Sequence, residues 1–88
     1  MLDIDGYYVY LLLCEDGSYY CGYTTNLKKR YQAHISGKAA KYTKAHKVKA
    51  LYYYESFDNK SDAMKREYQI KQLTHQQKQA LKKVENML

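Results

Sequence analysis

The chain has 88 residues, which suits one domain and leaves no room for a second core, so the sequence predicts a single domain over residues 1–88. Two cysteines are too few for a disulfide-stapled scaffold, and no stretch approaches the ~18 apolar residues of a membrane span. The N-terminus lacks the basic start and apolar run of a signal peptide, so we expect a cytoplasmic protein. Cys14 and Cys21 do not have the short spacing of paired zinc ligands, which favours buried free thiols over a zinc site.

The formal net charge of +6 is unevenly distributed. Residues 1–24 contain four acids and no Lys or Arg, whereas residues 25–50 contain eight Lys or Arg and no acid. An acid-free basic segment of this kind suits phosphate groups. One alternative is that the lysines only form a solvated face. Another is that they bind an anionic membrane surface, but the segment has no long amphipathic helix that would insert into lipid.

The first predicted elements form a β-hairpin. Residues 7–14 are apolar, aromatic and partly β-branched, which predicts a strand buried on both faces. Glu15-Asp16-Gly17 is a turn signal with Gly17 in the left-handed position, and residues 18–22 predict the second strand.

This three-residue turn determines the strand register. Tyr10 should lie opposite Gly22, and Leu12 opposite Tyr20, so both tyrosines point to one face of the sheet. Because Gly22 has no side chain, we expect open space beside Tyr10. The two tyrosines are candidates for a functional site, and the alternative is that they are ordinary aromatic packing on the sheet.

A helix is predicted over residues 26–36, with Thr25 or Asn26 as its N-cap and Gly37 at its end. Residues 38–47 are interpreted as a basic loop.

The second half of the chain predicts one strand and two helices. The strand covers residues 48–57, and the next helix runs from about Ser61 to Leu73. A last helix starts at the capping box of Thr74, and its apolar face comprises Ala80, Leu81, Val84 and Leu88. The fold class is therefore α/β, of the α+β type, with a three-stranded antiparallel sheet, flanking helices and the order β-β-α-β-α-α.

Arg30 and His34 share one face of the first helix because they are four residues apart. That face is next to the apolar stripe of Leu27, Tyr31 and Ile35, so we expect both side chains at the border between core and solvent. An arginine there can bind a phosphate with two hydrogen bonds. The alternative is an ordinary surface Arg and His.

Glu67 lies on the apolar face of the next helix, together with Ala63, Met64 and Ile70. A carboxylate in such a place is unfavourable unless it is paired or bound to a metal ion. The alternative to a metal ligand is a structural salt bridge with Arg30 or a nearby lysine.

An ordered set of motifs runs through the chain. Tyr8-Val9-Tyr10 is followed by Tyr20-Cys21-Gly22, then by Arg30 and His34, and on a later helix by Glu67. In this order and spacing they resemble the GIY-YIG nuclease family. The resemblance covers Tyr7 to about Lys83 and is closest to the small stand-alone single-domain bacterial branch, through the segments 37–43 and 66–73.

The resemblance implies a role for each site residue. Tyr10 and Tyr20 take the places of the two motif tyrosines, Arg30 that of the arginine that contacts the scissile phosphate, and His34 a position that holds His or Tyr. Glu67 corresponds to the carboxylate that binds one divalent metal ion, Mg²⁺ or Mn²⁺. The base that accepts a proton from the attacking water could be Tyr10, Tyr20 or His34, and the sequence does not choose among them. A tyrosine needs nearby cations to lower its pKa for this role, whereas a histidine titrates near neutral pH.

The sequence departs from the family pattern at three positions. Tyr8 replaces the first glycine, Cys21 replaces an isoleucine, and Gln79 stands where many relatives have asparagine. Relatives that cut DNA usually have extra targeting domains, which this sequence does not show, so efficient or specific cleavage is not implied and a protein partner for targeting is an alternative that stays open. The residues expected to bind nucleic acid are Lys28, Lys29, Lys38, Lys41, Lys44, Lys47 and Lys71.

These observations predict a metal-dependent endonuclease that hydrolyses phosphodiester bonds in DNA, in repair or recombination. The alternative is a non-catalytic nucleic-acid-binding module with the same fold. A protein-interaction adaptor is a third interpretation, which depends on the exposure of residues 52–54.

Overall fold

The structure is a computed structural model that describes residues 3–81. The strands are β1 (Tyr7–Cys14), β2 (Tyr19–Thr24) and β3 (Val48–Phe57), and the helices are α1 (Leu27–Ile35), α2 (Lys41–His46), α3 (Lys60–Lys71) and α4 (His75–Ala80). The strands form one antiparallel sheet in the order β2-β1-β3. The predicted α/β fold is confirmed, and the central place of β1 explains why its residues are buried on both faces. No helix within residues 3–81 is long and apolar enough to cross a membrane.

The hairpin has the predicted register. Tyr10 lies opposite Gly22, Leu12 lies opposite Tyr20, and Gly17 has φ +84° in the turn. The open space expected beside Tyr10 is absent, however. The Tyr10 ring lies over Gly22, and a Cβ atom at residue 22 would overlap its hydroxyl oxygen.

The sheet separates two apolar clusters. Alternation along β1 sends one set of side chains toward α1 and the other toward α3. The α1-side cluster contains Tyr8, Tyr10, Leu12, Leu27 and Leu51. The α3-side cluster contains Val9, Leu11, Cys21, Ala63 and Ile70. Cys14 and Cys21 are buried free thiols.

A bulge interrupts the pairing of β1 with β3. Leu11 pairs with Tyr53 and Leu12 with Leu51, so Tyr52 is an extra residue in β3. Tyr52 and Tyr53 consequently both pack against the α3-side cluster, while Tyr54 packs against the α1-side cluster. All three rings are half-buried, so the exposure on which the adaptor interpretation depended is not observed.

Helix α1 has the predicted caps but not the predicted stripe. Asn26 is the N-cap and accepts a hydrogen bond from the Lys29 amide, and Gly37, at φ +76°, ends the helix. Ile35 was expected in the core and is 54% exposed, whereas His34 is only 2% exposed. His34 is seven residues after Leu27, and positions i and i+7 share a helix face as well as i and i+8 do.

Residues 38–47 were expected to be a loop, and this is wrong for residues 41–46, which form α2. Its N-cap residue Ala40 makes no side-chain cap, and Lys47 ends it at φ 57°. Thr43 is its buried residue and contacts His34 of α1. A tertiary contact rather than a local signal therefore holds this helix, and the observed order is β-β-α-α-β-α-α.

The last two helices follow the sequence signals. Helix α3 starts after its N-cap Asn59, and α4 starts at the predicted capping box of Thr74 and Gln77. Leu81 packs on the α3-side cluster, but Ala80 is exposed rather than part of an apolar face. The predicted continuation of that face, Val84 and Leu88, lies outside the described residues.

Candidate functional site

The centre of the candidate site is a buried chain of hydrogen bonds on the α1 side of the sheet. Tyr10 of β1, His34 of α1 and Thr43 of α2 are all nearly inaccessible to solvent. The Tyr10 hydroxyl lies 2.6 Å from Nε2 of His34, and Nδ1 of His34 lies 2.8 Å from Oγ1 of Thr43. The Thr43 hydroxyl in turn donates to the Ala40 carbonyl at 3.2 Å. Three separate elements thus meet at one imidazole.

The direction of these bonds follows from the number of protons available. Because the Thr43 hydroxyl donates its one proton to Ala40, its oxygen accepts a proton from Nδ1 of His34. Nε2 is then the unprotonated nitrogen of a neutral ring and accepts from the Tyr10 hydroxyl. The network assigns one tautomer to His34, with no donor or acceptor left over.

Burial changes the acid–base behaviour of both residues. Desolvation, with the nearby positive charge of Arg30 as a smaller cause, lowers the pKa of His34 to about 4. Desolvation raises the pKa of the Tyr10 hydroxyl well above its usual range, and Arg30 only partly opposes this. The expectations of a border position for His34 and of a free base near neutral pH are therefore wrong, because the ring is enclosed and Nε2 is already occupied.

Tyr20 is the more accessible of the two motif tyrosines. It is half-buried on the same side of the sheet, and its ring centroid lies 5.1 Å from that of His34. The ring of Tyr42 from α2 stacks beside it, with centroids 5.9 Å apart. Tyr10 and Tyr20 thus share one face of the sheet, as the predicted register required, and His34 packs against both rings.

Arg30 is exposed at the side of this group. Its Nη1 donates to the carbonyl oxygen of Tyr23 in β2 at 3.3 Å. Among residues 3–81 no carboxylate forms an ion pair with Arg30. Its positive charge is thus available to an external anion.

Glu67 approaches from the opposite side of the sheet, because α3 packs on the other cluster. Its side chain is 13% exposed and lies 3.5 Å from Nζ of Lys71, so its partner is a lysine and not Arg30. The Cys21 thiol lies 3.9 Å from the Glu67 carbonyl oxygen. Desolvation, with the negative charge of Glu67 as a smaller cause, raises the pKa of Cys21 to about 12. The structure does not bring Glu67 into contact with Tyr10 or His34. It does place Glu67 and Arg30 on the two sides of β2, an edge strand.

The expected nucleic-acid-binding lysines fall into separate places. Lys38, Lys41 and Lys44 line a shallow concavity of about 300 Å³ formed by the loop after α1 and the start of α2. The remaining four are Lys28 and Lys29 in the first turn of α1, Lys47 at the end of α2 and Lys71 beside Glu67.

The donors available to a metal ion are few. In the part of the chain that the structure describes, no three His, Cys, Asp or Glu residues form a cluster that could hold an ion. A single, mostly enclosed carboxylate such as Glu67 suits Mg²⁺ or Mn²⁺, since these ions keep several waters and take further oxygens from a phosphate. The residues present therefore fit a hydrated hard cation and do not fit zinc.

Sequence reasoning missed two features of the site. Thr43 fixes His34, but no periodic signal marked it because its segment was interpreted as a loop. His46 stacks on Tyr42 with centroids 4.1 Å apart, and its Nδ1 bonds to the Asp16 carboxylate in the hairpin turn. A helical interpretation of residues 41–46 would have put Tyr42 and His46 on one face, four residues apart.

Comparison with known proteins gives consistent matches. The family model described as GIY-YIG catalytic domain matches residues 6–80. A UPF0213 protein of Halobacterium salinarum is 51% identical over 75 residues, which is 85% of this chain and 97% of that protein. A UPF0213 protein of Staphylococcus haemolyticus is 51% identical over 72 residues, 82% of this chain and 88% of that one.

Two solved structures are similar to the chain. The solution NMR structure of the protein EF2693 from E. faecalis has a TM-score of 0.61 and 42% identity, and the match covers 89% of this chain and 83% of that one. The solution NMR structure of the UPF0213 protein BH0048 from Bacillus halodurans has a TM-score of 0.54 and 43% identity, and the match covers 84% of this chain and 79% of that one.

Proposed function

Because the chain belongs to the GIY-YIG catalytic domain family, we propose that it is an endonuclease that hydrolyses phosphodiester bonds in DNA with one divalent metal ion, Mg²⁺ or Mn²⁺. Arg30 carries the proposal: it is an exposed arginine without a carboxylate partner among residues 3–81, beside two tyrosines and a neutral histidine. An unpaired guanidinium stabilises the negative charge that develops on a phosphate under attack.

The edge position of β2 explains how groups from both sides of the sheet act on one phosphate. Arg30 touches the Tyr23 carbonyl from the α1 side, and the Glu67 backbone lies against Cys21 from the α3 side. Within residues 3–81 no further strand lies beyond β2 in the sheet, so a nucleic-acid backbone along this edge would meet both side chains. DNA repair or recombination is the process we propose, in the cytoplasm and with a protein partner that supplies targeting.

Proton transfer is assigned to Tyr10 and His34 acting together. Neither is a free base, since the pKa of His34 is lowered to about 4 and that of Tyr10 is raised. Because the Tyr10 hydroxyl is hydrogen-bonded to Nε2 of His34, this nitrogen can accept the Tyr10 proton. Because Tyr10 is nearly inaccessible to solvent in the free protein, the proposal requires that substrate binding gives the attacking water access to the Tyr10 oxygen; as that water releases its proton to this oxygen, Tyr10 passes its own proton to Nε2 of His34. Thr43 holds the ring in the orientation that this transfer requires.

Glu67 is the proposed metal ligand. A divalent ion held by Glu67 would supply positive charge to the phosphate and would make water in the site more acidic. Lys71 would have to release the carboxylate, which it can do readily because its own side chain is 53% exposed and can be hydrated.

The alternative is a non-catalytic nucleic-acid-binding module. The basic residues alone would serve that function. A mostly enclosed carboxylate beside β2 argues against it, because a negative charge near the binding edge repels phosphates.

The test compares Glu67→Gln with Lys71→Gln, since each breaks the same ion pair and only the first removes the carboxylate. We expect Glu67→Gln to abolish Mn²⁺ binding and cleavage of plasmid and branched DNA, and Lys71→Gln to keep Mn²⁺ binding and cleavage but with a weaker affinity for DNA, since Lys71 is among the lysines expected to bind nucleic acid. Because Lys71 is half exposed, Glu67→Gln should alter stability by about 1 kcal/mol or less, whereas Lys71→Gln leaves a mostly enclosed carboxylate unpaired and should cost more.

Mn²⁺ binding is measured by titration and cleavage by gel assay, with EDTA as the control. Metal-independent binding of DNA without cleavage would support the non-catalytic module. Equal metal affinity of the wild type and Glu67→Gln would exclude Glu67 as the ligand.

A further inference from the structure

A row of aromatic rings leads from the buried site to the surface of α2. His34 packs against Tyr20, Tyr20 stacks with Tyr42 at an interplanar angle of 29°, and Tyr42 stacks with His46 at 24°. Burial decreases along the row, from 2% exposure at His34 to 37% at Tyr42. The hydrogen bond of His46 to Asp16 fixes the outer end on the hairpin turn.

The same helix carries positive charge on another of its sides. Lys41 and Lys44 are three residues apart and, with Lys38, line the concavity formed by the loop after α1 and the start of α2. Tyr42 and His46 are four apart and are rotated away from these lysines around the helix axis. A two-turn helix thus offers ammonium groups and ring faces within a short distance of each other.

We propose that the exposed outer end of this row, where His46 stacks on Tyr42, is a stacking site for an unpaired base of the nucleic-acid substrate, with the flanking phosphates held by Lys38, Lys41 and Lys44. The inference rests on the proposed function and specifies a substrate with unpaired nucleotides next to the cleaved bond. Charge complementarity identifies the occupant, since residues 25–50 contain eight Lys or Arg and no acid. Aromatic rings together with backbone-binding cations are the combination that binds single strands.

The arrangement of the rings supports binding of a base beyond packing within the protein. Tyr42 is exposed on a helix whose buried contact is made by Thr43, so the fold does not require an aromatic ring at residue 42. Tyr20 and His46 hold the Tyr42 ring in place, so little conformational freedom is lost when a base stacks at the outer end of the row. The row continues to Tyr20 and His34, so a base at Tyr42 lies on the path to the proposed catalytic group.

The test measures binding of two short oligomers with the same number of phosphates in EDTA, one of thymidine nucleotides and one of abasic sites. We expect the wild type to bind the thymidine oligomer about tenfold more tightly, the effect of one stacked base. Tyr42→Leu should lose this preference and bind both oligomers equally, whereas Tyr42→Phe should keep it. A 2-aminopurine base in the strand should be quenched by the wild type and Tyr42→Phe but not by Tyr42→Leu.

The outcomes separate the two proposals. Equal affinity of the wild type for both oligomers, or a preference that survives in Tyr42→Leu, overturns the stacking site and leaves the proposed nuclease function intact. Failure to bind either oligomer, or duplex DNA, overturns both. Circular dichroism of each variant checks that its fold is unchanged.

Discussion

His34 is a polar side chain in the core that has a partner for each ring nitrogen. Tyr10 satisfies Nε2 and Thr43 satisfies Nδ1, so the neutral ring is buried without an unpaired atom. Protonation of Nε2 would remove the acceptor of the Tyr10 hydroxyl and place a charge in an apolar environment. The stability of the fold therefore depends on the neutral form of this residue.

The lowered pKa of His34 predicts that stability decreases in mild acid. Its folded pKa is about 4 against a usual value of 6.5, so between these pH values the unfolded state binds more protons. Neutral His34 therefore contributes about 3 kcal/mol to the free energy of unfolding. This contribution is complete above pH ~6.5 and is lost as the pH falls through ~4. Denaturant unfolding of the wild type and of His34→Gln between pH 4 and 7 measures it. Parallel curves for the two proteins would contradict the prediction.

Gly22 is required by the position of the Tyr10 ring rather than by its own backbone. Gly22→Ala places a Cβ atom against the hydroxyl end of Tyr10, which is held on its other side by His34. We expect the ring to move and the free energy of unfolding to decrease by about 1–3 kcal/mol, as for overpacked cores. A double-mutant cycle with Tyr10→Leu provides the control, since the penalty should disappear when the ring is absent. An unchanged penalty in that background would show that the clash is not its cause.

At the level of elements, local signals predicted most of the fold. The turn at Gly17 fixed the hairpin register, which in turn placed Tyr10 and Tyr20 on one face. Residues 48–57 and the Thr74 capping box were also predicted from local chemistry. These features depend on interactions between residues near each other in the sequence.

The features that were missed depend on distant contacts. Helix α2 has no side-chain cap, and its buried residue Thr43 is held by His34, which lies on another helix, α1. The bulge at Tyr52 arises from pairing with β1, and two apolar stripes of α1 were equally consistent with its periodicity. The pKa values of Tyr10 and His34 could not be predicted because burial, which sets them, is a property of the assembled molecule.

Lys47 ends α2 in a backbone conformation that favours glycine. Its φ of 57° is unfavourable for a residue with a Cβ atom, while its carbonyl accepts a hydrogen bond from the Glu15 amide. We expect Lys47→Gly to be more stable than Lys47→Ala by about 1 kcal/mol, because both lose the same charge and only glycine relieves the strain. Thermal unfolding of the two variants tests this. Equal melting temperatures would mean that the Cβ atom adds no strain at residue 47.

At the scale of the whole molecule, the sheet separates two surfaces of different charge pattern. The acid-free segment of residues 25–50 includes α1 and α2, which contact each other through His34 and Thr43. On the other side of the sheet, the exposed residues Lys60 and Lys65 of α3 accompany acids such as Asp62. Phosphates are therefore expected to bind on the α1–α2 side, although both sides carry lysines.

Salt dependence distinguishes this directed binding from a general attraction by net charge. We compare Lys41→Gln/Lys44→Gln with Lys60→Gln/Lys65→Gln, since each pair of substitutions removes two positive charges and leaves all proposed catalytic residues in place. Every phosphate contact releases counterions and adds about 0.9 to the slope of log K against log salt for duplex DNA. The first variant should therefore lose up to about 2 from this slope, and the second should keep the slope of the wild type. The loss should be equal for duplexes of different sequence, because phosphates carry no base information. If both variants change the slope equally, net charge alone drives binding and the α1–α2 surface has no special role.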